Sequence, residues 1–453
     1  MIAWAACLAA IAVAVAAGAV VVVRLWPEGE RLQVSAAAGL VCLIGPAVVG
    51  VPLMAGGAIG APARVTVGVT SLIVLAALGA GARRARRGLE WPRSRRSYLA
   101  HGVLVLAIAW TSGLALRTHL GWDGTVVWFH KARMLVHGGG WMAGSALRDT
   151  TRTWTAPDYP LHVPLAEAWL MLFMGEEDQR LLKLLPAAWC AGILCLVFGA
   201  VRDRPDEDAP PGDVEAAAAV LLLAAVPRLL IGEGSFGSGY ADGPASGLLA
   251  ALVWLAWRSG WGANRAWHPT LAVVAAGLVW TKQEGLAATV LVGFACATAG
   301  RGGWKRARFI GPAVVVGVAW QAWVRLQGGT ATMAYAWPQD AGTWIARLLL
   351  IGQGYATEML DVATWGLYWP ALLAAALYAS ARGGARPVML VLGIVGVGIL
   401  ALSFSVWPDL SEHVRVTAPR QLIQAVPALL MCCFALKDLR ATPLVPQPDD
   451  FIR

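Results

Sequence analysis

The chain has 453 residues, of which 58% are hydrophobic and only 14% charged, and its mean hydropathy is +0.61. Soluble domains carry about 25% charged residues, so this composition excludes a water-soluble globular fold of such length. The formal charge of +9 and pI near 9.5 do not signify nucleic-acid binding, because the basic residues sit in short loops between apolar runs, where they report orientation and contact with anionic headgroups.

A hydrocarbon core about 30 Å thick takes about 20 apolar residues per helix. Spans are predicted near 2–23, 34–56, 65–82, 98–117, 184–201, 215–231, 241–257, 269–281, 286–299, 309–326, 363–380, 387–406 and 420–436. Backbone polar groups in lipid must pair within each segment, so the expected fold class is all-α: a polytopic bundle of about thirteen transmembrane helices. The first run, Ile2 to Val23, has no basic leader and no small-residue cleavage site, and is expected to stay as a helix. The seven cysteines all fall in apolar runs as packing residues, with neither a disulfide framework nor a zinc spacing.

Basic residues recur in the connections Arg24 to Arg31, Arg83 to Arg96, Arg202 to Arg204, Arg258 to Arg265, Arg301 to Arg308, Arg382 to Arg386 and the tail from Lys437, which together hold 22 of the 36 Lys and Arg. These loops alternate along the predicted spans, and positive-inside bias puts them in the cytoplasm of a multi-pass plasma (inner) membrane protein, with the N-terminus outside and the C-terminus inside. Residues 118–183 fit no span and form a large outer loop, in which Leu161 to Met174 is too short to cross and reads as a juxtamembrane half-helix. The amphipathic stretch Thr343 to Asp361 reads as interfacial. The organisation expected is therefore a set of N-terminal helices over 1–97 with no assigned role, a core over 98–437 and a short cytoplasmic tail over 438–453. There is no internal repeat, and no Gly-rich nucleotide loop follows a predicted strand.

Ionisable residues beside a span cost about 2.5–3.5 kcal/mol each on insertion scales and mark sites by default. Under this topology Asp123, His130, Lys131, Arg133, Asp158, His162, Glu167, Asp242, Lys282, Glu284, Arg415 and Arg420 share the outer face, although they come from distant segments. Each also has a plainer reading. Asp123, in Gly-Trp-Asp-Gly-Thr, and Asp242, in Tyr-Ala-Asp-Gly-Pro, can cap the helices they open. Lys131 and Arg133 can snorkel or bind phosphate. Asp158, in Pro-Asp-Tyr-Pro-Leu-His, can form a turn, and Lys282 with Glu284 can pair across a tight interhelical connection. Arg415 and Arg420 precede the last span on a face where positive charge is otherwise disfavoured.

Taken in order, Trp122-Asp123 with Lys131-Ala132-Arg133, Pro157-Asp158-Tyr159-Pro160-Leu161, Tyr240-Ala241-Asp242, Thr281-Lys282-Gln283-Glu284-Gly285 and Arg420 with Pro427 resemble the GT-C superfamily of membrane glycosyltransferases, in the branch of protein O-mannosyltransferases and aminoarabinose transferases. The likeness covers most of the chain from Trp122 to Ala428. It implies a polyprenyl-phosphate sugar donor, a glycan, lipid or protein acceptor, and transfer at the extracytoplasmic face. It puts Asp123 at the catalytic position, Asp242 in the active site and Lys282 near the donor phosphate; from the shared face, Asp158 is a further catalytic candidate, Lys131, Arg133, Arg415 and Arg420 are further candidates to bind the phosphate, and His130, Tyr159, His162 and Glu284 are candidate substrate contacts. Many relatives carry a paired acidic motif where Asp123 is followed by Gly124, so a divalent cation is left open and no metal ligand is assigned. The four spans before the outer loop also depart from the single helix common among relatives. The chemistry expected is attack by an acceptor hydroxyl or amine on the anomeric carbon, with Asp123 as general base and cations stabilising the departing phosphate. The competing class is a transporter or flippase of lipid-linked saccharides, which usually shows internal repeats and midplane sites.

Overall fold

A computed structural model describes residues 2–142, 144–149, 155–203, 212–329, 336–338, 340–381 and 385–435, with the backbone alone for 81–88 and 435. The predicted tail 438–453 and the side chains of Arg83, Arg84, Arg86 and Arg87 lie outside what is described. The structure is 79% helical, as the all-α expectation requires. It adds one feature that apolar patterning does not reveal, a parallel pair of two-residue strands, Leu32–Gln33 against Leu89–Glu90.

The chain opens with α1 (Ile2–Leu25), α2 (Val34–Ala58), α3 (Ala63–Gly88) and α4 (Arg95–Arg117). The stretch 118–183 then carries a π-helical turn, Gly124–Phe129, followed by α5 (His130–His137), α6 (Gly144–Arg148) and α7 (His162–Met174), and a short α8 (Gln179–Leu182) leads into α9 (Leu184–Arg202). The predicted half-helix thus forms as α7, but it lies inside the bundle against α1, α2 and α5, with every residue from His162 to Met171 buried.

The predicted span 215–231 is divided. Val226 is extended because Pro227 follows it, leaving α10 (Asp213–Ala225) and a one-turn α11 (Pro227–Leu230). Next come α12 (Asp242–Arg258), α13 (His268–Thr281), α14 (Glu284–Ala297) and α15 (Ile310–Leu326). The stretch read as interfacial is α16 (Ala341–Met359), which packs through Ile351 and Tyr355. The predicted span 363–380 breaks at Gly366, whose φ is +61°, into α17 (Val362–Trp365) and α18 (Tyr368–Ala379). Two long helices close the chain, α19 (Ala385–Ser403) and α20 (Leu410–Ala435).

Among the described residues six helices are long and apolar enough to cross a bilayer: Ile2–Leu25, Val34–Ala58, Ala63–Ala80, Arg95–Arg117, Gln179–Arg202 and Ala385–Ser403. The chain is therefore membrane-embedded. The other seven predicted segments fall on shorter helices or on the second half of α20. Short and broken helices are tolerated at membrane depth where protein covers their ends, and α12 meets that condition, being buried from Asp242 to Ala256. It packs against α9, α13, α14 and α20, so its two ends define the ends of the core.

At the Arg258 end of α12 the basic loops meet. Arg258 pairs with Asp203, lies 3.5 Å from Glu30, donates to the Arg31 carbonyl at 2.6 Å, and stands over the rings of Trp26, Trp254 and Trp267. Arg306 reaches Gly260 O at 3.4 Å, and Arg386 lies over Trp261. Buried Arg202 bonds Asp213 at 2.7 Å and Ser97 Oγ at 2.9 Å, and also Gln33, which in turn donates to Glu90. The loops that positive-inside bias grouped on one side thus gather at one end of the bundle.

Glycines set how closely the helices approach. A Cβ on Gly45 of α2 would come within 2.1 Å of Ala14 O, and one on Gly18 of α1 within 2.4 Å of Val41 O, so these two backbones touch. Gly39 and Gly199 do the same for α2 and α9, where a Cβ would lie 2.5 Å from Leu196 N and 2.3 Å from Ala36 N. Gly45→Ala is expected to destabilise the protein in detergent by about 1–3 kcal/mol through overpacking, whereas Gly68→Ala, with nothing within 4 Å of its added carbon, is expected to be neutral. Denaturant titration of both variants checks this, and equal midpoints would contradict the close approach.

Candidate functional site

At the other end of α12 stands Asp242, the first residue of the helix and fully buried. Its carboxylate does not cap the helix. One oxygen accepts from Lys282 Nζ at 2.9 Å and from Gln424 Nε2 at 2.5 Å, and the other accepts from Arg420 Nε at 3.0 Å. Arg420 extends its Nη1 to Asp123 Oδ2 at 2.8 Å, so one guanidinium bridges two carboxylates that are 119 positions apart in the chain. The Arg420 guanidinium also lies over the Tyr240 ring at 4.8 Å, and the Tyr240 hydroxyl accepts from the Asp123 backbone N–H at 3.0 Å. Lys282 has a second, longer contact to Glu284 at 3.4 Å.

Local backbone explains why these groups converge. Asp123 is helical at φ −60°, ψ −35°, and caps nothing with its side chain; the π-helical turn starts immediately after it. Such turns widen the helix by one residue and recur at functional sites. Gly124 permits the approach, since a Cβ there would lie 2.6 Å from Ser238 O. Lys282 is extended, with φ −147° and ψ 151°, and this break between α13 and α14 sends its side chain toward Asp242 rather than along a helix. Arg420 follows Pro419 within α20. Removing one partner from a buried ion pair strands the other, at a cost of about 3–5 kcal/mol, so Asp242, Lys282 and Arg420 stand or fall together.

A second group holds the loop 155–160. Asp158 is 2% exposed; its backbone oxygen accepts from Trp320 Nε1 at 2.7 Å, and its carboxylate accepts from Gln283 Nε2 at 2.9 Å. Lys131 is 1% exposed and donates to the carbonyls of Ala156 and Tyr159, between the rings of Trp128 at 5.4 Å and Tyr159 at 5.5 Å. Ala156 takes a φ of +48°, a left-handed conformation unusual for alanine. Lys131 therefore fastens this loop; it does not reach the Arg420 cluster. His162 is fully buried, with Nδ1 at 2.7 Å from Thr281 Oγ1, and it ties α7 to the end of α13. His130 is half-buried at the start of α5, beside Lys131.

Two predicted phosphate ligands sit apart from the cluster. Arg133 pairs with Glu177 at 2.5 Å, beside His137, and Arg415 pairs with Glu412 at 2.6 Å on an exposed turn of α20. A cavity of about 240 Å³ opens next to the cluster, between α14, α19 and α20. Tyr159, Gln283, Glu284 and Gln424 join it to the charged groups, His413, Thr417 and Gln421 form the rest of its polar rim, and Leu249, Ala288, Leu291, Ile394 and Val395 give it apolar walls. Tyr240, Gln424, Gln421 and His413 are absent from the sequence-based set, although Gln421 and Gln424 interrupt an apolar run and that interruption was the available signal.

The residues present do not fit a divalent cation. Asp123 and Asp242 already share a guanidinium, and among the described residues no three His, Cys, Asp or Glu side chains form a group that could hold a metal ion. Compared with family models, curated proteins and solved structures, the chain matches none.

Burial pushes the Lys131 ammonium down to about 7, against the pull of Asp158. Between there and the ordinary lysine range, about 10.4, the unfolded chain holds a proton that the folded chain has released. Folding stability then rises with pH through this window, by up to ~1.4 kcal/mol per pH unit, and below about 7 both states hold the proton and this slope vanishes. Lys131→Met is expected to flatten the rise, read as denaturation midpoints from about pH 6 to about pH 10. Parallel profiles for the two proteins would show that Lys131 does not titrate there.

Proposed function

We propose that the protein is a membrane glycosyltransferase of the GT-C type, moving a sugar from a polyprenyl-phosphate donor to a glycan, lipid or protein acceptor at the extracytoplasmic face of the plasma membrane, with the basic-loop end of the bundle and the C-terminus in the cytoplasm. The observation that carries this reading is the Arg420 bridge between Asp123 and Asp242 beside a cavity with apolar walls and a polar rim. A ligand suited to it has an anionic head and an apolar body. The full thirteen-span topology belongs to this proposal, with the short helices completing the bundle around α12.

The cluster holds three carboxylates, Asp123, Asp242 and Glu284, and two cations, Lys282 and Arg420, and so carries one negative charge in excess. A phosphate cannot simply be added to it. It displaces a carboxylate, and Asp123 is the one to move, because it is 22% exposed and held by one guanidinium nitrogen, whereas Asp242 is fully buried with three donors. The phosphate oxygen takes over Arg420 Nη1, a charge-assisted contact of the same kind, and Asp123 is released beside the reacting centre as a general base.

Asp123 then accepts the proton of the acceptor hydroxyl or amine, whose lone pair attacks the anomeric carbon. The bond from that carbon to the phosphate oxygen breaks, its electron pair stays on the phosphate, and Arg420 and Lys282 stabilise the charge. Asp158 and Tyr159, fastened by Gln283 and Lys131, form the floor on which the substrate lies. Membrane lipids occupy the outer faces of the bundle.

Asp123→Asn is expected to lower transfer by about 10²–10⁴-fold, the span of general-base contributions, with membrane insertion unchanged. The measurement is transfer from a synthetic polyprenyl-phosphate hexose to cell-envelope acceptors in reconstituted vesicles. Normal transfer by the variant, or lost translocation of the donor with no transfer activity in the native protein, would favour a flippase.

A further inference from the structure

We propose that the cavity between α14, α19 and α20 receives an uncharged sugar ring, recognised by a stripe of neutral polar side chains on α20: His413, Thr417, Gln421 and Gln424. The proposal rests on reading the adjacent charges as a phosphate site, and it names the class of group that the phosphate carries.

Steps of four, four and three residues put these side chains on one face of a helix, and all four line the cavity. An isoprenoid chain would leave their remaining polar atoms, His413 Nε2 above all, without partners, and burying a polar atom unpartnered costs free energy. His413 is 4% exposed; its Nδ1 lies 2.9 Å from Ser405 Oγ, and its buried Nε2 has no hydrogen-bond partner among the described residues. Its ring is fixed by stacking on Trp407, with centroids 4.9 Å apart. The Tyr355 hydroxyl donates to Gln421 Oε1, which leaves the amide N–H groups of Gln421 to a ligand. Gly398 makes room for this amide, since a Cβ there would lie 2.1 Å from Gln421 Oε1. Gln424, bonded to Asp242, joins the stripe to the charge cluster.

The facing wall is apolar, formed by Leu249, Ala288, Leu291, Ile394, Val395 and Leu402. A pyranose has this same division, with a C–H face on one side and hydroxyls at its edge. The cavity, about 240 Å³, is large enough for one pyranose ring. Among the described residues Glu284 is the charged group lining the cavity, and Lys282 already pairs with it. No cation is offered to an acidic sugar, and the four side chains of the stripe are uncharged hydrogen-bonding groups that match ring hydroxyls.

The test uses the full-length protein in lipid nanodiscs and three lipid probes: polyprenyl phosphate, its neutral hexosyl ester and its hexuronosyl ester. A fourth probe, a diazirine-bearing octyl hexoside, has no phosphate. The native protein is expected to bind the hexosyl lipid ~10-fold or more tightly over bare polyprenyl phosphate, since a site built to bond hydroxyls discriminates strongly against a ligand that lacks them. Gln421→Leu and the milder Thr417→Val are expected to shrink that preference while leaving affinity for bare polyprenyl phosphate unchanged. Irradiation with the diazirine hexoside is expected to label α20 in the native protein and not in Gln421→Leu. Equal binding of sugar-bearing and bare lipid, tighter binding of the hexuronosyl lipid, or a preference that survives both substitutions would overturn the proposal. Should no phosphate lipid bind, the phosphate reading falls, and hexoside labelling alone decides: labelling of α20 upholds the sugar site and its absence overturns it.

Discussion

The Arg420 guanidinium organises this protein. Its side chain is 15% exposed, and it is held by two carboxylates, Asp242 at the start of α12 and Asp123 just before the π-helical turn. Neither Asp242 nor Lys282 would be tolerable alone at their burial of 0% and 4% exposure. Together they are neutralised, and the neutralisation fixes the start of α12, the break between α13 and α14, and the middle of α20 relative to each other. The stretch after α4 is attached to the same point, Asp123 through Arg420 and through the Tyr240 hydroxyl. The site is held by three donors on its buried side, at Asp242, and by one guanidinium nitrogen on its more exposed side, at Asp123.

Much of this was legible in the sequence because charge is so scarce in it. With 14% charged residues in 453 positions, each ionisable side chain near an apolar run is conspicuous, and the set Asp123, Asp242, Lys282 and Arg420 could be grouped before any fold was known. The basic loops were equally legible, and their meeting around Arg258 is the structural counterpart of a bias visible in the sequence. What could not be read was partnership. In the sequence Arg133 and Arg415 group with Arg420, but each is satisfied by another carboxylate, Glu177 or Glu412, and the partner of Arg133 in particular, 44 positions away, is visible only in three dimensions.

Backbone irregularity was the other hidden element. Hydropathy treats 215–231 and 363–380 as continuous, whereas Pro227 and Gly366 divide them. The π-helical turn after Asp123 leaves no trace in periodicity, and the cap expected at Asp123 fails because that residue is already helical. Neutral polar residues were also discounted. Gln421, Gln424 and His413 carry no charge to draw attention, but a buried amide in an apolar helix asks for a partner as surely as an ammonium does, at smaller cost.

The helix that carries Arg420 holds two prolines, Pro419 and Pro427, on either side of Arg420, Gln421 and Gln424. Each removes a rung from the backbone ladder, so the stiffness of α20 drops at two places one short segment apart. The piece between them, two turns long, is therefore held less by its own backbone ladder than by the bonds of Arg420 and Gln424 to Asp242. Two prolines that would be defects in an isolated helix are tolerated where side-chain bonds to α12 take over the anchoring.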